Sequence, residues 1–418
     1  MALNHQRVVY GAGTINASEY KRILAHIHVA VNEQKYSDIE LDFSRCISAM
    51  PAGMLPIIAY VRALTNSHVD FSLTLPERDS MARRFRLSGW AHLIEPRKYE
   101  SPERLRPAQL PALVFTSTDE QQTCVNKIID HVLSTMDGMS RDNLGAVEWA
   151  LNEVTDNVLN HAQSPCGGIV QLTRHTARRN AIEFTVCDGG QGVARTLRDV
   201  RPDILSDYAA LEEAVKEGVT RNPHTNQGNG LFGSFEVCRV SGGEFRLHSN
   251  KGRLELAGGA VKYIPDQIPF SGTLVDALID VSNRGLLGDA LRFNGKVHRP
   301  VDRIEYKYED ESLAFVRILM TEETTSFASR LAGKPVKIKL SNLVNMCPGQ
   351  RIVIDFSGVR IISSSFADEV FGRLFVELGP MEFMRRIVFE NASSTVVGLI
   401  DRAMRLRAQQ GSSEPSPV

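Results

Sequence analysis

Apolar and polar positions follow a helical period near the middle of the chain. From Leu144 to His161, apolar residues recur at spacings of three and four, which predicts a helix whose apolar stripe faces a core. At about 100° per residue, Glu153, Asn157 and Asn160 fall within about 60° of one another on the opposite face, and His161 lies towards its edge. The apolar stripe consists of Leu144, Val147, Leu151, Val154 and Val158.

Shorter patterns divide the chain into three blocks, and the first covers residues 1–105. It ends in a proline-rich, charged stretch at 95–111, which predicts a linker. The alternation of apolar and polar residues predicts strands at 39–43 and 71–75 and helices at 56–64 and 77–89.

The second block, residues 112–282, begins with two long helical patterns and continues with strands and glycine-rich turns. Residues 282–300 are predicted to be a second linker. The third block, residues 300–408, is followed by a small, polar tail at 409–418 that predicts disorder. Its predicted elements are strands at 314–320 and 351–358 and helices at 365–378 and 393–406. Together the blocks predict an α/β multidomain protein.

Composition narrows the class of protein. Hydrophobic residues make up 43% and charged residues 23% of the chain, and the net charge of −1 gives no bulk field that favours nucleic acid or a membrane. The six cysteines form no C-x-x-C pair, so we expect reduced thiols in a soluble, cytoplasmic protein. The longest uncharged apolar run, Ala49 to Val61, contains two prolines and is too short to span a bilayer.

The polar face of the middle helix carries residue types suited to phosphate chemistry. Asparagine is a poor helix former, yet this helix has three within nine residues. An amide oxygen is a ligand for hard cations such as Mg²⁺, and a carboxylate one turn away accepts a proton from an attacking water or hydroxyl. The alternative is a solvated polar face without a ligand.

A glycine-rich turn follows the next strand. This strand begins at Ala181 and ends at Asp188, and Gly190 and Gly192 come directly after it. An acidic strand end accepts a hydrogen bond from an exocyclic amine such as that of adenine, and glycine lets the backbone approach a ligand closely. Thr273 opens a later strand. Ordinary surface turns are the alternative for both positions.

A second glycine-rich turn lies at 226–239. Gly228, Gly230 and Gly233 come at the start of an apolar helix that runs to Val240. Backbone N–H groups in such a loop at a helix N-terminus bind phosphates. A glycine cluster by itself is also common in loops that bind nothing.

In this order, the four elements resemble the nucleotide-binding boxes of the GHKL (Bergerat-fold) ATPases, which include histidine kinases, type II topoisomerases and anti-sigma-factor serine kinases. The resemblance covers about residues 113–282 and implies an α/β sandwich, a mixed sheet covered by helices, that binds ATP and Mg²⁺. The matching boxes are Glu153-x-x-x-Asn157, Asp188-x-Gly190-x-Gly192, Gly228-x-Gly230-Leu231 and Gly272-Thr273.

The resemblance also implies a role for each matched residue. Glu153 would be the general base, Asn157 would bind Mg²⁺, and Asp188 would bind the adenine amino group together with Thr273. The other implied contacts are Gly190 and Gly192 at the adenine pocket and Gly228 and Gly230 at the phosphates. Leu231 would also bind the nucleotide, and residues 193–227 would be the lid.

The helix sequence EVTDNVLNHA is most similar to the anti-sigma-factor serine kinases, in which a histidine follows the box asparagine by four residues, as His161 follows Asn157 here. One position departs from the superfamily. Phe232 stands where many members have glycine, which affects how a lid packs over the phosphates.

The flanking blocks resemble STAS domains, the substrates of those serine kinases. Asp42-Phe43-Ser44 and Asp355-Phe356-Ser357 each close an apolar strand ahead of a helix, a weak internal repeat. The STAS phosphoserine position corresponds to Ser364, a candidate phosphate acceptor, and to Pro51 in the first block. Ser363 and Phe366 replace the usual aspartate and glycine around Ser364. The alternative is helix capping, with Ser365 and Asp368 as a capping box.

Two functional hypotheses follow. The first is an ATP-dependent regulator that hydrolyses Mg-ATP or transfers phosphate to a protein serine and couples its nucleotide state to a protein partner, with a homodimer as a candidate assembly. The second is a non-catalytic nucleotide sensor that sequesters a partner. A sensor histidine kinase is disfavoured because no phospho-accepting histidine helix precedes Glu153. Nucleic-acid binding lacks a basic motif interleaved with aromatic residues.

Overall fold

The computed structural model describes residues 6–102, 110–175, 180–199, 201–218, 230–282, 285–293, 295–310, 312 and 314–411. The chain forms two compact units. Unit 1 consists of Met1–Ile128 and Ala146–Arg299, and unit 2 consists of Ile129–Gly145 and Pro300–Val418. Both contain helices and sheets, so the predicted α/β class is confirmed. No helix in the described ranges has the length and apolar content that crossing a bilayer requires.

The N-terminal part of unit 1 is built on three parallel strands in the order β1-β3-β5, and β2 pairs with β4 in a separate sheet. Pro51 begins α2 because its fixed φ suits the first helical position. The strands and helices predicted here are confirmed. The elements are β1 (Gln6–Tyr10), β2 (Gly13–Ile15), α1 (Tyr20–His28), β3 (Asp38–Asp42), β4 (Cys46–Ala49), α2 (Pro51–Thr65), β5 (Asp70–Thr74), α3 (Asp79–Leu87) and α4 (Trp90–Ile94). Of the linker predicted at 95–111, residues 103–109 lie outside the described residues.

The central part of the chain forms a sheet in the order β6-β7-β8-β10-β9, and all four strand pairs are antiparallel, so the mixed sheet that the resemblance implied is wrong. Its strands are β6 (Leu113–Phe115), β7 (Gly168–His175), β8 (Ala181–Asp188), β9 (Glu244–Ala257) and β10 (Ala260–Asp280). Its helices are α5 (Thr118–Thr135), α6 (Arg141–Asn157), α7 (Val193–Arg198), α8 (Asp207–Ala214) and α9 (Gly230–Val240). The predicted helix from Leu144 and the predicted strand from Ala181 are confirmed.

The central sheet and the N-terminal part share one hydrophobic core. Ile169, Cys187 and Leu274 stand side by side on β7, β8 and β10 and belong to the same buried cluster as Ile58 of α2. Because both faces of the sheet are covered, β8 is buried along almost its whole length instead of on alternate residues.

Polar and aromatic contacts reinforce that core. The Trp90 indole N–H donates to Gln171 Oε1 at 2.8 Å, and both side chains are buried. Tyr20 meets Phe270 edge to face at 5.5 Å. A buried indole N–H needs such a partner, because leaving it unpaired would cost about 1–3 kcal/mol.

After β10, the predicted second linker at 282–300 is wrong. It contains α10 (Leu286–Ala290), β11 (Arg292–Phe293) and β12 (Lys296–Val297), and β11 and β12 pair as a short hairpin. Leu286, Leu287, Ala290 and Leu291 are buried. The spacing of these apolar residues is that of one face of a short helix. The neighbouring glycines favoured a linker in the sequence instead.

Unit 2 contains a three-stranded parallel sheet in the order β13-β14-β15. Its strands are β13 (Phe315–Leu319), β14 (Arg351–Asp355) and β15 (Ile387–Glu390). Its other helices are α11 (Arg303–Lys307), α12 (Met320–Glu323), α13 (Arg330–Met346), α14 (Ser364–Ala367), α15 (Arg373–Leu378), α16 (Pro380–Arg386) and α17 (Ser394–Gly411). The predicted strands at 314–320 and 351–358 are confirmed, as are the helices at 365–378 and 393–406. The tail predicted at 409–418 is helical up to Gly411, and 412–418 lie outside the described residues.

Candidate functional site

Helix α6 carries Glu153 and Asn157 into a cavity of unit 1, and its last turn is irregular. After Asn157 the chain makes a π-helical turn, Val158–Ala162, and leaves it at Gln163 in the left-handed region. This turn presents carbonyl oxygens to the loop after β8. Gln191 donates its backbone N–H to Ala162 O at 2.8 Å and its amide Nε2 to His161 O at 2.9 Å. Such turns are frequent at functional sites, and the helical periodicity of the sequence does not predict them.

Asp188, at the end of β8, is almost completely buried. Gly190 donates its backbone N–H to Asp188 Oδ1 at 2.7 Å, and Thr273 donates from both its backbone and its side chain. The β8–β10 register brings Thr273 here, since Leu274 pairs with Cys187. Burial raises the pKa of the Asp188 carboxyl to about 7, against the opposing effect of these hydrogen bonds.

The glycines around Asp188 leave no space for a side chain. A Cβ on Gly190 would lie well inside 3.0 Å of the Ala162 carbonyl, and one on Gly272 would collide with the Asp188 carbonyl. Gly192 has φ +81°, and a Cβ there would strike Asn250. Gly190 and Gly272 lie against backbone carbonyls of neighbouring segments, and Gly192 has a left-handed φ and lies against the side chains of Ser249 and Asn250.

A serine that the sequence motifs did not indicate joins these elements. Ser249 accepts a hydrogen bond from Val193 N at 2.9 Å and donates to Gly272 O at 2.8 Å. Its neighbour Asn250 donates to Gln191 O at 3.3 Å. The sequence contains no signal for this role, because Ser249 and Asn250 lie in a strand that carries many other polar and charged residues.

We expect Gly190→Ala to lower the melting temperature by about 5 °C, because the new Cβ meets fixed backbone and overpacking of this kind costs about 1–3 kcal/mol. Gly398→Ala is the matched control, since a Cβ there meets no atom within 4 Å and it lies inside helix α17. Differential scanning fluorimetry checks both variants. Equal melting curves for Gly190→Ala and wild type would contradict the geometry.

The cavity is open to solvent, and the space between its lining residues and its mouth amounts to about 880 Å³. Its polar lining includes the carboxyl groups of Glu153 and Asp188, the amide of Asn157 and the hydroxyl of Thr273. Its apolar lining includes Val154, Val158, Val186, Leu197 and Val275. One ligand could therefore meet an apolar wall and several directed polar groups.

The structure brings most of the predicted site residues to this one cavity. Those that line it are Glu153, Asn157, Asp188, Gly192, Gly230, Leu231 and Thr273. Gly190 lies just outside, in the loop that supports Asp188, and Gly228 lies outside the described residues. His161, predicted at the edge of the polar face, also lines the cavity.

Glu153 faces the first turn of α9. A Cβ on Gly230 would collide with Glu153 Oε2, so the carboxyl group occupies the space that this glycine leaves. Burial, together with the nearby Asp156 carboxylate, raises the pKa of Glu153 to about 7. A carboxyl with a pKa near neutrality is well matched to accepting a proton at physiological pH.

The segment predicted as the lid, 193–227, contains helices α7 and α8 in its described part, while residues 200 and 219–227 lie outside the described residues. Arg198 pairs with Asp207 Oδ1 at 2.6 Å, and Lys251 N donates to Asp207 Oδ2 at 2.9 Å. These contacts hold the start of α8 against β9.

Among the described residues, no three His, Cys, Asp or Glu side chains cluster as a metal site. Mg²⁺ does not require such a cluster, because it commonly takes one or two protein oxygens and completes its shell with substrate phosphates and water. The Asn157 amide oxygen beside the Glu153 carboxyl fits that donor set.

Ser364 lies in unit 2, exposed at the first position of α14. The helix cap is Ser363, whose hydroxyl accepts from Phe366 N at 3.1 Å, so the capping box predicted at Ser365 and Asp368 is wrong. Asp368 instead pairs with Arg407 at 2.7 Å. The cap lies two residues earlier than predicted because the helix already begins at Ser364.

Comparison with known proteins identifies a STAS-like region in unit 2. Residues 332–397 match the family described as a STAS-like domain of unknown function (DUF4325). No curated protein matches the chain.

Two solved structures show weak similarity. The histidine kinase domain from the Erythrobacter litoralis EL346 blue-light activated histidine kinase is 15% identical, with a TM-score of 0.19, and the match covers 64% of this chain and 98% of that one. Full-length ShkA in complex with AMPPNP is 14% identical, with a TM-score of 0.21, over 87% of this chain and 70% of that one. TM-scores this low do not bear on the function of the cavity in unit 1.

Proposed function

We propose that this protein is a GHKL-type ATP-binding regulator whose unit 1 cavity binds Mg-ATP. The observation that supports this proposal is that residues far apart in the sequence line one cavity. Four separated stretches of sequence supply groups of complementary chemistry to one cavity, with Glu153 and Asn157 from α6, Asp188 from β8, Gly230 from α9 and Thr273 from β10.

The two ends of the cavity suit the two ends of a nucleotide. At one end, the buried Asp188 carboxylate accepts the adenine amino group, while valines on α6, β8 and β10 pack against the ring. At the other end, Gly230 and Leu231 open helix α9, whose N–H groups favour phosphate. Asn157 lies on α6, one turn beyond Glu153, and its amide oxygen would hold the Mg²⁺ that neutralises phosphate charge.

Glu153 acts as the general base. Its pKa near 7 leaves it partly ionised at neutral pH, ready to take the proton of an attacking hydroxyl or water. A water gives ATP hydrolysis, and a serine hydroxyl gives a phosphoprotein. The similarity of α6 to anti-sigma-factor serine kinases favours serine as the acceptor, with STAS-like regions linking nucleotide state to a protein partner.

Incubation of the purified protein with γ-labelled ATP and Mg²⁺ separates these reactions. Label on the protein shows autophosphorylation, and Ser364→Ala then tests that candidate acceptor. Free labelled phosphate shows hydrolysis. If ATP binds and neither product forms, the non-catalytic sensor replaces the catalytic proposal.

The pKa of Asp188 predicts how base preference depends on pH. A carboxyl with a folded-state pKa near 7 is mostly protonated at pH 6 and mostly ionised at pH 8. Both oxygens of the carboxyl group can accept a hydrogen bond from the adenine amine only when the group is ionised. We therefore expect the preference for ADP over inosine diphosphate, which lacks this amine, to rise about tenfold from pH 6 to pH 8.

Calorimetry in the Glu153→Gln background measures this ratio, because Asp188 is then the remaining cavity-lining carboxyl among the described residues. The phosphates of the two ligands titrate alike and cancel in the ratio. A preference that stays flat or falls with pH would contradict Asp188 as the adenine acceptor.

A further inference from the structure

Four aromatic side chains meet beside the first turn of α9. Trp149 of α6 lies 5.9 Å from Phe293 of β11 and 6.3 Å from His298, measured between ring centroids. Phe293 also contacts Phe232 of α9 at 6.2 Å and His298 at 5.8 Å. Their tilted and edge-on arrangements are those that aromatic pairs prefer. We call Trp149, Phe232, Phe293 and His298 the aromatic cluster.

The aromatic cluster and Glu153 touch the same short stretch of α9. A Cβ on Gly233 would collide with the Trp149 ring, and one on Gly230 would collide with the Glu153 carboxyl. Next to Gly233, Ser234 Oγ donates to the Ala150 carbonyl at 3.4 Å. Helix α9 therefore rests directly on α6, with Trp149 and Glu153 one turn apart on the surface that supports it.

Half of the aromatic cluster comes from the segment that the sequence suggested was a linker. Helix α10 packs on α9, and buried Leu291 faces Gly233 beside Trp149. His298 N donates to Leu291 O at 2.8 Å, which closes the hairpin over Trp149. This segment leads to Arg299, where the chain leaves unit 1.

We propose that the aromatic cluster positions the first turn of α9, and with it Gly230 and Leu231, against Glu153, and so controls how the cavity receives the terminal phosphate of ATP. The inference rests on the proposed function. The adenine end of the cavity does not depend on the aromatic cluster, because the pairing of β8 with β10 fixes Asp188 and Thr273. Loosening the cluster therefore affects triphosphate recognition and leaves diphosphate recognition in place.

This arrangement gives a packing role to Phe232, which stands where many members of the superfamily have glycine. A glycine there would remove the contact between the Phe232 and Phe293 rings, which joins α9 to the hairpin. Helix α10 and the hairpin of β11 and β12 therefore both pack on α9.

The chain supplies its own reporter, since it contains two tryptophans and only Trp149 lies in the cluster. Trp90 is buried in the N-terminal part against Gln171. We compare the fluorescence change on AMPPNP binding in wild type and in Trp149→Phe. A change that is present in wild type and absent in the variant comes from Trp149.

The test compares Phe293→Ala with Val297→Ala, a control in the same hairpin whose side chain is 40% exposed and outside the cluster. We expect Phe293→Ala to weaken AMPPNP about tenfold, since small misplacements of contact groups carry large costs, and to abolish the Trp149 signal. ADP affinity should stay within about twofold, because the adenine end is independent. Phe293→Tyr should restore AMPPNP affinity and the signal, and Val297→Ala should match wild type.

Unchanged AMPPNP affinity and an unchanged Trp149 signal in Phe293→Ala would overturn the inference. Equal losses of AMPPNP and ADP affinity would also overturn it, since the cluster would then only support the fold. If Phe293→Ala does not fold, Phe293→Leu, which keeps the apolar volume without the ring, gives the same comparison. Failure of wild type to bind either nucleotide would instead defeat the proposed function, and the two failures are distinguishable.

Discussion

Glu153→Gln should lower phosphate release or transfer by about 10²–10⁴-fold, because the amide cannot take a proton from the attacking group. ATP affinity should remain within about threefold of wild type, since the glutamine keeps the size of the side chain beside Gly230. Single-turnover measurements with γ-labelled ATP give the rate, and calorimetry gives the affinity.

Glu148→Gln is the matched control, as Glu148 is a buried carboxyl on the same helix and does not line the cavity. It should retain the wild-type rate. Full turnover in Glu153→Gln would exclude Glu153 as the base. Persistence of the regulatory output in a variant that binds ATP without turnover would favour the nucleotide-sensor hypothesis.

Asp188→Asn should weaken ADP binding by about 100-fold. The carboxylate accepts from Gly190 and Thr273 and still offers an acceptor to adenine. An amide has one acceptor oxygen, so in either orientation its NH₂ group confronts a donor, and the charge that strengthens these bonds is lost. Calorimetry with ADP measures the effect.

Asp276→Asn provides the comparison. Asp276 is equally buried in the same sheet, but it accepts from Thr185 and Arg246 and does not line the cavity. We expect a loss of stability in this control with nucleotide affinity retained. Equal effects of the two substitutions on ADP affinity would show that Asp188 acts through folding and not through contact with the base.

The elements that carry the site could be predicted because their signals are local. The apolar stripe from Leu144 to Val158 forms a buried helix face, and the strand from Ala181 ends where the sequence placed Asp188. Glycine spacing then indicated turns at Gly190 and Gly192. Local patterns of this kind depend on helix and strand periods that any chain must follow.

The contacts between distant segments could not be predicted in the same way. Trp90 and Gln171 are 81 residues apart, and neither residue type signals its partner. The same holds for Ser249, which joins Val193 to Gly272 across long separations. The shared core of the N-terminal part and the central sheet depends on such pairs, so sequence blocks drawn from local composition do not reveal it.

Irregular geometry was also beyond local prediction. The π-helical turn at Val158–Ala162 is stabilised by what its carbonyl oxygens bind, above all Gln191, and not by its own residues. The hairpin of β11 and β12 is held by the aromatic cluster, to which α6 and α9 contribute from earlier in the chain. In both places tertiary contacts override a weak local preference.

Isothermal titration of the purified full chain with ADP and with ATP, in the presence of Mg²⁺, tests the central claim most directly. We expect saturable binding of both nucleotides at one site per chain, and this binding should be lost in Asp188→Asn at the same concentrations. Heats that do not saturate for either nucleotide, with the protein folded by circular dichroism, would contradict the assignment of this cavity to ATP.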